Sequence, residues 1–264
     1  MSYVGGKARR CEHILSVLNN SAFDGMHYVE PFIGYAHILR RVENKKTYTA
    51  SDANPLLVTL LQGVQNHKSI PSITENEYMK LKKDNENTSF RRSVAAFAYS
   101  YKGMQFTGYF DERRGRKYSD EHKRYYKKLQ ENEQFQKMRL TCTDYRSLKP
   151  VNKLIYCDPP YSRTTGYNQG EHFDNNEFWK TMRQWSKHNI VFISEYEAPS
   201  DFKCISCCRK YNQLSPTGNP TLRTERLFVH ISLLHRLPKD LTTKFRTSTR
   251  RSNRSNRAHR RGSR

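Results

Sequence analysis

The chain has 264 residues, of which 35% are hydrophobic, enough for one sizeable core with a smaller appended module. Its formal net charge of +22 points to a polyanion as partner, because lysines and arginines at phosphates release counterions. No apolar run approaches the ~18 residues of a membrane span, and the start lacks the pattern of a secretory signal, so an intracellular, soluble, cytoplasmic protein is expected.

Short apolar runs alternate with helix-like stretches, which predicts an α/β sheet with helices on its faces. Helical spacing runs from about Ala8 to Leu18, and a strand follows over Tyr28 to Phe32. Gly34 is expected to open a helix through about Val42, and Thr47 to Ser51 forms a second strand ending at Asp52. Pro55 suits the first turn of the next helix. Residues 62–139 carry little strand signal and many charges, and resemble a mostly helical insertion into the sheet domain. Within them Phe90 to Tyr101 looks helical, Asp120 to Lys137 looks like one very polar, solvent-facing helix, and an aromatic, arginine-rich loop lies between. Strand patterns resume at Leu140 to Thr143 and Leu154 to Cys157, then at Ile190 to Ile193 and Arg226 to Leu234. Phe178, Met182 and Trp185 mark one face of a helix over Phe178 to Ser186. The organisation expected is therefore a catalytic domain over 1–61 and 140–238, the insertion over 62–139, and a basic disordered tail over 239–264. The tail's composition also suits nuclear targeting, relevant if the source is a eukaryotic virus. Cys204 and Cys207 form a lone C-x-x-C without a second pair, so no metal site is expected.

The sharpest chemical signal is Asp158-Pro159-Pro160-Tyr161, directly after an apolar strand. Ligands of open α/β sheets bind at the carboxyl ends of strands. An ionised Asp only accepts hydrogen bonds, and proline offers a carbonyl without a competing N–H. Asp158 and the Pro159 carbonyl together suit both protons of an NH2 group, which localises the lone pair of an otherwise poor nucleophile. Tyr161 suits stacking on the base that carries the amine. Glu30-Pro31-Phe32-Ile33-Gly34 lies at another strand end, where Gly34 permits close backbone approach and a helix N-terminus would favour a ligand carboxylate. Asp52, in Ser51-Asp52-Ala53-Asn54-Pro55, suits ribose hydroxyls, with helix N-capping as the competing role for Asp52 or Asn54.

The order Tyr3-Val4-Gly5-Gly6-Lys7, Glu30-Pro31-Phe32, Ser51-Asp52-Ala53-Asn54, an insertion, then Asp158-Pro159-Pro160-Tyr161 resembles the Dam-type (D12 class) DNA adenine N6-methyltransferases over about residues 1 to 234. The resemblance implies a Rossmann-like S-adenosylmethionine-dependent methyltransferase sheet with a helical target-recognition insertion. It implies that Tyr3, Lys7, Glu30, Pro31, Phe32, Gly34, Asp52, Asp144 and Asp158 line the cofactor site, Asp144 near the cofactor adenine. It places Tyr161, Ser194, Glu195 and Tyr196 around a flipped target base. Tyr101 and Lys102 match a loop near the DNA, and Arg113, Arg114, Arg116 and Lys117 suit phosphate and base contacts. The activity implied is methylation of adenine N6 in a specific double-stranded DNA sequence, without a metal, by a monomer, in a restriction-modification setting. A catalytically inactive DNA-binding relative and methylation of adenine in RNA are the competing readings. In one respect the chain departs from the family: Gly34 is followed by Tyr35 and Ala36, where a second glycine is usual. The added bulk is expected to narrow the cofactor site.

Overall fold

The computed structural model describes residues 11–113, 116–160, 173–212 and 221–241. In chain order the elements are α1 (Glu12–Leu18), β1 (His27–Glu30), β2 (Thr47–Asp52), α2 (Pro55–Gln65), α3 (Glu75–Lys83), α4 (Phe90–Ala98), β3 (Glu112–Arg113), β4 (Arg116–Lys117), α5 (Tyr118–Gln130), α6 (Glu133–Lys137), β5 (Arg139–Cys142), β6 (Lys153–Cys157), α7 (Asn175–Ser186), β7 (Ile190–Glu195), β8 (Phe202–Asn212) and β9 (Thr221–His230). Seven strands form one sheet in the order β5-β2-β1-β6-β7-β9-β8. The first five run parallel, and β9 pairs antiparallel with both β7 and β8. From β1 the chain winds outward through β2 to β5, then returns to β6 and winds the other way. The order therefore reverses between β1 and β6, the point where open α/β sheets hold ligands. This is a Rossmann-like sheet with an antiparallel end.

Strand alternation explains the layers. In β6, Leu154 and Tyr156 face one core with Tyr28, while Ile155 and Cys157 face a second core with Phe178, Met182 and Trp185 of α7. The central parallel strands β1, β6 and β7 are buried on both sides, as crossover connections demand, while β5 at the edge buries only Leu140. Asn54 caps α2, its side-chain oxygen accepting from the amides of Leu56 and Leu57 at 3.1 and 3.2 Å, with Pro55 at the first helical position. Residues 62–139 hold α3 to α6 and the β3–β4 hairpin. Helix α2 runs past position 62 unbroken, and Val94, Phe97, Tyr126 and Leu129 join the apolar core that contains Leu56, Leu60 and Tyr28.

Three expectations need correction. No α-helix follows Gly34: the chain turns, with left-handed backbone at Gly34 (φ 50°) and Ala36 (φ 55°), and only a 3-10 turn forms over Leu39–Arg41. Ile33, Tyr35, Ala36, Ile38 and Leu39 are all buried, so the segment has no solvent face for a helix to present. The ligand-binding helix N-terminus expected there does not exist. The polar stretch from Asp120 onward is two helices, not one, because Asn132 caps α6 by accepting from the Phe135 amide at 2.9 Å. Nor is α5 wholly solvent-facing: His122, Tyr125, Tyr126 and Leu129 form a buried stripe. Finally, the chain stays ordered just beyond Pro238, with Leu241 buried and Asp240 accepting from the Asn20 amide at 3.0 Å. The rest of the expected tail lies outside the described residues.

Candidate active site at the strand switch point

Four residues at the carboxyl ends of β1 and β6 share one electrostatic neighbourhood. Tyr28 and Glu30, two apart on β1, lie on the same face, and the Tyr28 hydroxyl donates to Glu30 Oε2 at 2.7 Å. Glu30 is 2% exposed. Burial pushes its carboxyl well above the ordinary carboxylate range, opposed by the Tyr28 hydrogen bond and reinforced by the charge of Asp158. Next door, the Tyr156 and Ser194 hydroxyls share a bond of 2.8 Å, which ties β6 to β7. Burial, then the charge of Asp158, raises Tyr156 as well. Asp158 continues the Tyr156 face beyond the strand end and is half-buried, with Pro159 buried and Pro160 half-buried after it. The acidic side chain is thus at the rim of the sheet, beside Glu30, and not turned into the core.

Asp52 occupies the equivalent place on β2. Its carboxylate accepts from the amides of Asn54 at 3.0 Å and Gly34 at 3.3 Å. The second bond clips the loop after β1 onto the end of β2, and the Ile33 amide adds another by donating to the Ser51 carbonyl at 3.1 Å. Burial raises the Asp52 carboxyl to about 6, against the pull of those amides. The helix-capping role falls to Asn54 alone, which leaves Asp52 as a carboxylate at a strand end. A Cβ built on Gly34 would meet no atom within 4 Å, so the loop is open there.

Phe32 leads into an aromatic cluster: its ring lies 5.1 Å from Tyr145, 5.9 Å from Phe178 and 6.1 Å from Phe173. Pro31 before it is buried. Asp144 sits at the turn after β5, one strand further out, where it caps a 3-10 turn by accepting from the Arg146 amide at 2.8 Å. Arg146 also grips the carboxylate in a fork at 2.9 and 3.0 Å, which holds Asp144 below the ordinary carboxylate range.

The residues expected around a target base divide. Ser194 and Glu195 are buried at 0% and 3% exposure, and Ser194 spends its hydroxyl on Tyr156. Glu195 Oε1 accepts from the Tyr196 amide at 2.8 Å, and Arg226 donates to the Tyr196 carbonyl, so this segment is braced from within. Tyr161, Tyr3, Lys7 and Arg114 lie outside the described residues.

The loop from Tyr101 to Phe110 reaches the same end of the sheet. Asn54 Nδ2 donates to Gln105 Oε1 at 2.7 Å, which ties the loop to the end of β2. The Tyr78 hydroxyl, buried under the loop, bonds Ser100 at 2.9 Å and accepts from the Gly108 amide at 3.2 Å. Lys102 is left-handed (φ 56°), and its ammonium lies 5.0 Å from the centre of the exposed Tyr101 ring. Tyr101 in turn meets Phe110 at 5.3 Å. Beyond it, Arg113 and Arg116 stand opposite each other in the β3–β4 ladder, and Lys117 is exposed.

Tyr35, the residue in place of a second glycine, does not enter the switch point. Its ring packs against Phe97 of α4 and His122 and Tyr125 of α5 at 6.1 to 6.4 Å. The extra bulk is absorbed between helices, so the expected narrowing by Tyr35 does not occur. Sequence reasoning missed the Tyr28–Glu30 and Tyr156–Ser194 pairs, although two-residue alternation on a strand would have placed Tyr28 and Glu30 together. Among the described residues no group of three or more His, Cys, Asp or Glu side chains is placed to hold a metal, and no helix is long and apolar enough to cross a membrane.

No curated protein matches the chain. Among solved structures, the rRNA methyltransferase aviRa from Streptomyces viridochromogenes is 14% identical, with 86% of this chain aligned to 84% of that one at a TM-score of 0.39. A putative methyltransferase complexed with SAH, SMU.472, is 12% identical over 86% of this chain and 55% of its own, at a TM-score of 0.33. The model of the D12 class N6 adenine-specific DNA methyltransferases matches residues 3–205. That span covers the strand switch point and most of both winding halves, and the chain belongs to the D12 class N6 adenine-specific DNA methyltransferase family.

Proposed function

We propose that this methyltransferase moves a methyl group from S-adenosylmethionine to N6 of adenine in a specific double-stranded DNA sequence, with the target base turned out of the stack. The observation that carries the reading is the placement of Asp158 and Pro159 at the carboxyl end of β6, at the switch point and beside Glu30 of β1.

The residues present fit the cofactor. Asp52 offers carboxylate oxygens at the end of β2, where a ribose diol needs acceptors, and the open backbone at Gly34 leaves room for close approach. Phe32 and Tyr145 supply apolar ring surface between β1 and β5. When bound, S-adenosylmethionine supplies an electrophilic methyl group, so no metal is required.

The protein's own part is alignment and hydrogen-bond acceptance. Asp158 and the Pro159 carbonyl accept the two amine protons of adenine and turn the lone pair out of the ring. Buried Glu30, held by Tyr28, fixes the β1 end against which Asp158 is placed. The amine becomes acidic once methylated, so a strong general base is unnecessary. Extruding the base costs a few kcal/mol, supplied by contacts from the loop at Tyr101 and Lys102, the hairpin carrying Arg113, Arg116 and Lys117, and the segment Ser194–Tyr196.

The test is labelled methyl transfer to unmethylated duplex DNA, with the product hydrolysed to identify N6-methyladenine. RNA of the same sequence serves as comparison. Asp158→Ala is expected to lose at least about a hundredfold in turnover, the order seen when one transition-state hydrogen-bonding group is removed, while duplex binding survives. Near wild-type turnover in that variant, or faster transfer to RNA than to DNA, defeats the proposal.

A further inference from the structure

Strands β8 and β9 are longer than the sheet they finish. β9 pairs with β7 only through Arg226, Leu227 and Phe228. Glu195, the carboxyl end of β7, stands opposite Arg226, so positions 221–225 of β9 continue past the end of β7. They pair only with positions 208–212 of β8. The result is a two-stranded ribbon that projects from the sheet on the side where Asp52, Glu30 and Asp158 lie. The root is braced by Arg226, which donates to the Tyr196 carbonyl.

The ribbon is costly for a chain in water, because an isolated two-stranded ribbon is marginal on its own. The backbone register sets position 210, a lysine, opposite position 223, an arginine, with exposed Arg209 next in line. The β3–β4 ladder has the same register feature, with arginines at the opposed positions 113 and 116. A polyanion lying along the ribbon would offset the cost of the projection. The loop anchored by Gln105 rises over β2, and the ribbon rises beside β7, on the other flank of Asp158. From β2 to β9 is four strand spacings, roughly 19 Å at ~4.8 Å each. A two-stranded ribbon also fits a major groove about 12 Å wide.

We propose that the projecting part of β8 and β9 is a second DNA-binding arm, outside the insertion, that holds phosphates of the same duplex on the flank opposite the loop at 101–110. This rests on duplex DNA being the substrate. The test measures duplex affinity of the full chain against salt concentration for wild type, for Lys210→Ala/Arg223→Ala, and for Lys46→Ala/Lys187→Ala. The last pair removes the same charge from exposed positions ahead of β2 and β7, at the amino ends of the strands. The ribbon variant is expected to lower the slope of log affinity against log salt by about 2, near 1 per phosphate contact, with S-adenosylmethionine binding unchanged. The amino-end variant is expected to keep the wild-type slope. Equal slopes for ribbon variant and wild type, or equal losses in both variants, overturn the arm while leaving the methylation reading intact. A wild-type chain that does not bind duplex DNA overturns both.

Discussion

Two neighbouring regions near the switch point are built on opposite principles. At the ends of β1, β2 and β6, carboxyl groups are drawn into partly dry surroundings, where a few well-placed donors hold two of them: Tyr28 on Glu30, and the Asn54 and Gly34 amides on Asp52. Beyond them, between the Gly34 loop and helices α4 and α5, rings take the place of carboxyl groups, with the Arg40 guanidinium 5.8 Å from the centre of the Tyr125 ring. Tyr35, Phe97, His122, Tyr125 and Tyr126 pack ring against ring. The two histidines of that block, His37 and His122, are pressed by burial to about 3 and are neutral at pH 7. Burying carboxyl groups at the strand ends costs folding energy. The aromatic block is where stability comes from, because each ring buries large apolar area. The two regions meet at Tyr125, whose hydroxyl donates to the Tyr35 carbonyl at 2.6 Å and lies within reach of the Glu30 charge.

The contrast is broken most directly by truncating one side of it. Phe97→Ala removes a ring that is 1% exposed and is expected to cost about 3–5 kcal/mol in chemical denaturation. Asp158→Asn, at the half-buried rim, is expected to stay within ~0.5 kcal/mol of wild type while losing methyl transfer. If the two variants destabilise equally, the division between a stabilising block and a chemical rim is wrong.

What the sequence made legible follows the same line. The apolar runs of β6 and β7 and the Asp158-Pro159-Pro160 segment after β6 are local patterns, and the structure places them where local reasoning put them, while Tyr161 lies outside the described residues. The Gly34 segment was misread because a run of buried residues resembles a helix, and nothing local reveals that Ala36 takes a left-handed backbone. Strand β8 went unnoticed for a different reason. Its register shifts between Cys204 and Ser206, so the two-residue alternation that betrays a strand is interrupted, and its outer half carries charges in place of apolar residues. The fate of Tyr35 was beyond local reading, because it depends on α5, some ninety positions away.

Asp52 sharpens the comparison at intermediate scale. Its carboxyl stands at about 6 in the folded chain against an ordinary 3.8. The folded state therefore holds the extra proton between those values, and the stability it lends is present at low pH and lost as pH rises through about 6. Asp52→Asn is expected to gain about 1–2 kcal/mol at pH 7, less than the full shift implies because the residue is part-exposed. The same variant is expected to weaken S-adenosylmethionine binding by tenfold or more, and a variant gaining stability without losing affinity removes Asp52 from the cofactor site. Wild-type affinity tests the sign independently. A ribose diol needs the ionised carboxylate as acceptor, so equilibrium binding is expected to weaken as pH falls below about 6. The wild-type pH dependence is expected to vanish in Asp52→Asn.

The smallest change separates backbone strain from site chemistry. Gly34 sits at φ 50° with no atom within 4 Å of where a Cβ would stand. Gly34→Ala therefore meets only the left-handed penalty, about 1 kcal/mol in stability. In the free protein nothing else is touched. If a cofactor backs onto this loop, the new methyl group occupies its space and affinity falls by far more than the loss in stability accounts for. Calorimetric titration of Gly34→Ala with S-adenosylmethionine, beside its melting curve, measures the two effects apart. Unchanged affinity with the expected small drop in melting temperature means that the open face of Gly34 looks onto solvent, and that the cofactor seat does not reach this glycine.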